Sequence, residues 1–168
     1  MFYENVDLTK IYDDSAFPLG ARHSDESNGK EYEFVKYSQG SGAVAGTQGS
    51  GVYYCVSGTT VVPGYTVTKD HDSTTSIITF YNMFAGQLQA ALTDGKYGWI
   101  QKKGFSNYAC PTNNSLGIGE QVSPADADGQ VLGVAAGTAV TPYLGMAWAT
   151  DGGSGNSVAA GGILWQIP

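Results

Sequence analysis

Short runs of alternating apolar and polar residues, each closed by a backbone-reversing cluster, cover most of this chain from residue 31 onward. Alternation with period two sends successive side chains to opposite faces, so each run predicts a half-buried strand. Strands are expected near 31–37 (Glu-Tyr-Glu-Phe-Val-Lys-Tyr), 51–57 and 76–81, and again near 87–92, 97–102, 105–109, 130–135, 143–149 and 162–167. Gly, Thr, Val and Tyr dominate this region, and the last three fit a pleated surface. Asp94-Gly95 is the sharpest reversal, because Asp-Gly supplies the positive φ of a tight hairpin; strands 87–92 and 97–102 should pair antiparallel across it. Residues 24–30 read as a second turn with Asn28-Gly29 at its tip. One stretch conflicts with the rest: Ile78, Tyr81, Phe84, Leu88 and Leu92 fall at helical spacing, which predicts a turn of helix between strand ends within 77–92.

The start of the chain breaks the alternation. Phe2, Tyr3, Val6, Leu8, Ile11, Tyr12 and Phe17 are bulky and apolar but follow neither helical nor strand spacing. They predict an extended arm over residues 1–24 whose apolar groups need a surface, ahead of a β-domain over 25–168. The expected fold class is all-β, an antiparallel β-sandwich or barrel-like domain with glycine-rich loops and this N-terminal arm.

Charge sharpens the boundary. Residues 1–36 hold eight acidic and four basic side chains, twelve of the 23 charges in the chain, whereas residues 37–68 hold none. A formal charge of -7 argues against nucleic acid as a partner, since Lys102-Lys103 is the only adjacent basic pair and cannot track a phosphate backbone. No apolar run reaches the roughly 18 residues of a membrane span, and Met-Phe-Tyr-Glu-Asn does not read as a secretion signal. The expectation is therefore a protein made in the cytoplasm, with Cys55 and Cys110 reduced and buried.

The motifs that would carry catalysis or metal binding are incomplete. Gly40–Gly46 has the glycines of a dinucleotide loop, but Gly49 and Gly51 follow before a helix could form to receive a pyrophosphate. Asp126-Ala127-Asp128-Gly129 opens like a calcium loop and lacks the closing glutamate. His71 between Asp70 and Asp72, and His23 beside Arg22, read as solvated loop residues, and there is no Gly-x-Ser-x-Gly elbow. Asn113-Asn114-Ser115 is a formal glycosylation acceptor. No cofactor, metal or catalytic residue is expected. The strand-borne aromatics Tyr53, Tyr54, Tyr81, Tyr97, Trp99, Tyr108, Tyr143, Trp148 and Trp165 are the informative group, because alternation must expose some of them; exposed Tyr and Trp suit a carbohydrate face or a protein interface.

Leu19-Gly20-Ala21-Arg22, followed by Asn28-Gly29-Lys30-Glu31-Tyr32-Glu33-Phe34-Val35, resembles the start of small tailed-bacteriophage capsid decoration (cement) proteins. Asp94-Gly95-Lys96-Tyr97-Gly98-Trp99-Ile100-Gln101 is similar to their Tyr-Gly-Trp-x-Gln hairpin, and the apolar strand closing at Gly161–Gln166 resembles their C-terminal pattern. The resemblance implies a non-enzymatic virion protein on the capsid surface, with the major capsid protein and further copies of itself, as a homotrimer, for partners. In that setting the arm residues Phe2, Tyr3, Val6, Leu8, Ile11, Tyr12 and Phe17 are the expected capsid-binding groups, with Asp7, Asp13 and Asp14 facing basic groups on the shell. Two alternatives remain open at this point: the arm packs on its own domain or on a neighbouring copy, and the protein is a carbohydrate- or receptor-binding β-module.

Overall fold

The structure, a computed structural model, describes residues 6–37, 46–57, 60–67, 84–125, 129–135, 138, 143–149 and 157–168. The chain is all-β, and no helix occurs among the described residues. The strands are β1 (Arg22–Asp25), β2 (Lys30–Tyr37), β3 (Gly51–Ser57), β4 (Thr60–Val67), β5 (Phe84–Leu88), β6 (Tyr97–Phe105), β7 (Cys110–Pro111), β8 (Gln121–Pro124), β9 (Val131–Val134), β10 (Gly145–Ala147), β11 (Ser157–Val158) and β12 (Ile163–Gln166). Ten of them form one sheet in the order β1-β2-β4-β3-β5-β6-β12-β10-β8-β9, and β7 pairs with β11. The strand pairings are antiparallel except β2 with β4.

Strand β6 is the spine. At nine residues it pairs with β2 through Glu31 to Lys36, with β5 at Gln87 and Leu88, and with β12 at Leu164 to Gln166. The sequence predicts a break here and a separate strand at 105–109; instead β6 runs on to Phe105. A bulge absorbs the irregularity: Glu31 faces Lys103 and Tyr32 faces Gln101, so Lys102 has no partner across the ladder. Gly104, at φ +87°, follows it, and a β-carbon there would lie 2.8 Å from Lys30 Cγ.

The predicted turn of helix gives way to strand in the part of 77–92 that is described. Residues 77–83, and the strand expected at 76–81, lie outside the described residues. Phe84 enters one apolar cluster, whereas Leu88 and Leu92 enter another, so their helical spacing does not mark a common face. Both predicted turns form. Gly95 takes φ +78° in the Thr93–Lys96 reversal, and Gly29 takes φ +63° before the Asp25–Lys30 pair that closes the β1–β2 hairpin.

Three apolar clusters organise the interior. Val35, Tyr37, Val52, Ala85, Leu88, Leu92 and Ile100 pack between β2, β3, β5 and β6. Tyr53 and Phe84 join the inner face of the C-terminal strands, where Trp165, Ile163, Val122, Val131 and Leu144 gather and Phe84 stacks on Trp165 at 5.8 Å. Tyr32, Phe34 and Trp99, on the opposite face of β2 and β6, form the third.

Cys110 is free and fully buried in the second cluster, where loss of hydration pushes its thiol up to about 12. The Cys55 side chain lies outside the described residues. In a Cys55→Ser variant, Cys110 should therefore stay unreactive toward a disulfide reagent at neutral pH and react only after denaturant is added, because thiolate is the attacking species. Rapid labelling of the folded Cys55→Ser variant would contradict this burial.

Among the described residues, Gly49 makes the tightest approach to backbone. At φ +91° a β-carbon would stand 2.0 Å from the Ala109 carbonyl oxygen, and Gly49 is itself held in place by its N–H bond to Leu88 O at 2.9 Å. Gly49→Ala should cost about 3 kcal/mol or more, read as a lowered denaturation midpoint.

Candidate interaction surfaces

The arm is the first candidate, and most of its described part is already occupied by the chain itself. Val6, Leu8, Tyr12 and Phe17 pack, with Leu19 and Ala21, on the Tyr32–Phe34–Trp99 cluster. Phe17 meets Phe34 and Trp99 at 5.2 Å each, edge to face, and Tyr12 meets Phe34 at 5.6 Å. Backbone bonds pin the path: Tyr12 N–H donates to Tyr97 O at 2.9 Å and Tyr97 N–H returns to Tyr12 O at 3.0 Å, while Phe34 N–H reaches Ala21 O at 2.8 Å. Lys96 also pairs with Asp13 at 2.5 Å, an exposed contact. The surface these apolar groups need is thus supplied by the chain itself, as in the open alternative of an arm packed on its own domain: the arm covers Tyr32, Phe34 and Trp99. Of the seven arm residues singled out from sequence, Ile11 is left exposed at 48%, and Phe2 and Tyr3 lie outside the described residues.

The second candidate is polar and internal, and sequence reasoning missed it. Glu33 on β2 and Lys102 at the β6 bulge are both buried, with side chains only 5% and 3% exposed, and Lys102 Nζ lies 3.5 Å from Glu33 Oε2. Tyr54 links them: its hydroxyl donates to the carboxylate, 2.8 Å from each oxygen, and accepts from Lys102 Nζ at 3.1 Å. Arg22, half exposed on β1, places Nη2 3.3 Å from the same carboxylate. Burial holds the Lys102 ammonium below the ordinary lysine range despite the pull of Glu33, and burial beside Glu33 holds the Tyr54 phenol well above the ordinary tyrosine range. Each group in this chain of contacts is already satisfied by another, which describes a structural pin between β2, β3 and β6.

A network of amide side chains does the same for the segment after β6. Gln87 Nε2 donates to Gly49 O (3.1 Å) and Tyr108 O (3.0 Å), and its Oε1 accepts from Trp165 Nε1 at 3.2 Å. Asn107 donates to Gln89 Oε1 (2.6 Å) and to the Tyr32 hydroxyl (3.0 Å), and Lys30 Nζ donates to Asn107 Oδ1. Neutral amides with complementary donors and acceptors let this interior stay polar without unpaired charge. His23, expected as a solvated residue, instead stacks near Tyr32 at 5.9 Å. Among the described residues no three His, Cys, Asp or Glu side chains gather as metal ligands. His71 and Asp126–Asp128 lie outside those residues.

The third candidate is the outer face of the C-terminal strands. In the ladder Phe105 pairs with Leu164, Leu164 with Met146, Met146 with Gln121 and Gln121 with Val134, so these five side chains form one row across β6, β12, β10, β8 and β9. Phe105 and Met146 are exposed, and Trp148, 61% exposed, sets its ring edge to face with Phe105 at 5.8 Å. Core burial is thus the fate of Trp99 and Trp165 but not of Trp148. The edge of this sheet is closed by contrast: along β9, Asn113 N–H donates to Val131 O at 2.9 Å, and the Asn114 amide bonds both Gly133 O (2.9 Å) and Gly133 N–H (2.8 Å), standing in for a neighbouring strand. Comparison with protein-family models, with curated proteins and with solved structures finds no match to this chain.

Proposed function

We propose that this chain is a non-enzymatic structural module that binds the outer surface of a phage capsid and stabilises it, acting as a trimer. What supports the reading is where the two best-resembling segments fall. Leu19–Tyr37 forms the β1–β2 hairpin and Tyr97–Gln101 opens β6, and the two lie side by side, Phe34 facing Trp99, Val35 facing Gly98 and Lys36 facing Tyr97. Motifs far apart in sequence thus make one contiguous structural unit, as a shared fold would require. The buried charges and amides are tied up in one another, and the open face of the C-terminal strands offers apolar and aromatic groups for outside contact. In this reading Val6, Leu8, Tyr12 and Phe17 serve the module's own fold, and attachment passes to surfaces the fold leaves open.

The exposed Trp148 is the feature that favours the alternative, a glycan-binding module. Its ring meets Phe105 edge on, and Met146 lies on the same face, so the flat stacking platform a sugar needs is interrupted. Protein contact fits this surface better. Cryo-electron microscopy of particles assembled with and without the protein tests the proposal. Added density on the shell exterior, present only with the protein, is the expected result; identical particles would end it.

A further inference from the structure

We propose that the outer face of β6, β12 and β10, built on Phe105, Met146, Trp148 and Leu164, is the surface through which copies of this chain associate. From the functional reading it takes only that the chain self-assembles; that the contact is this face follows from charge. The protein carries -7, and two copies brought together elsewhere set acid against acid: Asp7, Asp13 and Asp14 line the arm, and Asp25 and Glu26 the β1–β2 turn. Residues 104–168 contain no Lys or Arg and four acidic residues, Glu120, Asp126, Asp128 and Asp151. The row Phe105–Leu164–Met146–Gln121–Val134 contains none of them. Lys103, two residues along β6 from Phe105, is held at 2.9 Å by Glu31 of the same chain. Here alone among the surfaces described above do two acidic copies meet without opposing charges, and apolar burial can act unopposed.

Other occupants fit less well. A nucleic acid or an anionic surface finds no cation in the row. Strand addition at β9, the sheet edge next to this face, is blocked by Asn113 and Asn114, so copies do not extend the sheet from there. Size sets the strength. Five strands spaced about 4.8 Å apart make the row about 19 Å wide, and the patch is on the order of 300–400 Å² per copy against about 800 Å² per partner in a stable complex. The free protein should therefore associate weakly, and copies held together on a particle should gain by avidity.

Sedimentation velocity on the full chain, from micromolar to millimolar concentration, tests this. The expected result is reversible association that strengthens as NaCl is raised, because salt screens the net repulsion and leaves the uncharged contact intact. Trp148→Gln and, separately, Met146→Glu should each weaken it at least about 30-fold, the loss typical of a central anchor, with an unchanged near-ultraviolet spectrum and denaturation midpoint showing that the fold survives. A monomer at every concentration overturns the proposal. So does association that weakens with salt, or that survives both substitutions; in that last case the copies use another face, and the capsid reading still stands or falls on the particle experiment.

Discussion

A chain lacking residues 1–18 should lose about 3–6 kcal/mol of folding stability, a large share of the 5–15 kcal/mol typical of a domain. The truncation removes Val6, Leu8, Tyr12 and Phe17 from the third cluster and uncovers Phe34 and Trp99, both fully buried when the arm is in place. Folding of the truncated chain no longer has to order the arm, and that saved conformational entropy keeps the figure below the sum of the buried side chains. Denaturant unfolding should show a lowered midpoint, and a hydrophobic dye should bind the truncated chain. Phe17→Ala, which removes the ring contacting Tyr12, Phe34 and Trp99, should alone cost about 2 kcal/mol. A truncated chain with an unchanged midpoint that nevertheless lost its attachment to capsids would restore the arm as a docking device.

Glu33→Gln should cost about 3–5 kcal/mol, because it strands the buried Lys102 ammonium without a counter-charge. Lys102→Met should cost much less, about 1 kcal/mol, since Glu33 keeps Arg22 at 3.3 Å and the Tyr54 hydroxyl, and the methionine stem fills the same space. The asymmetry is the signature: equal losses from the two substitutions would mean that Glu33 is not the shared anion of the cluster. Adding Lys102→Met to Glu33→Gln should recover part of the stability.

The same cluster gives a pH dependence with a definite sign. Tyr54 has a raised native pKa, so its contribution is complete below the ordinary tyrosine value near 10 and is lost as pH climbs beyond it, where the unfolded chain releases the phenolic proton. Lys102 has a lowered native pKa, so its burial penalty is full while the folded lysine stays protonated and fades as pH rises from its native pKa to the ordinary lysine value near 10.4. Around pH 10 the two oppose each other. In Lys102→Met the Tyr54 effect stands alone, and alkaline destabilisation should steepen relative to wild type.

Local chemistry was enough for the features whose cause is local. The reversals at Asn28-Gly29 and Asp94-Gly95 follow from backbone preferences of adjacent residues, and the strands 31–37, 51–57, 130–135, 143–149 and 162–167 follow from period-two patterning, so all are legible in the sequence and recur in β2, β3, β9, β10 and β12. Wherever the outcome turned on partners distant in sequence, tertiary structure decided. Gly104 reads as the end of a strand, yet β6 continues through it because β2 and β12 pair on either side and the bulge at Lys102 takes up the misfit. Val6, Leu8, Tyr12 and Phe17 show no periodicity because they follow the contours of Phe34 and Trp99, not the geometry of an element of their own. The Glu33–Tyr54–Lys102 cluster joins three strands, and no spacing along the chain announces it. Trp99, Trp148 and Trp165 are equivalent as sequence, but pleat and register send two of them inward and leave Trp148 on the open face, 61% exposed and set edge on against Phe105.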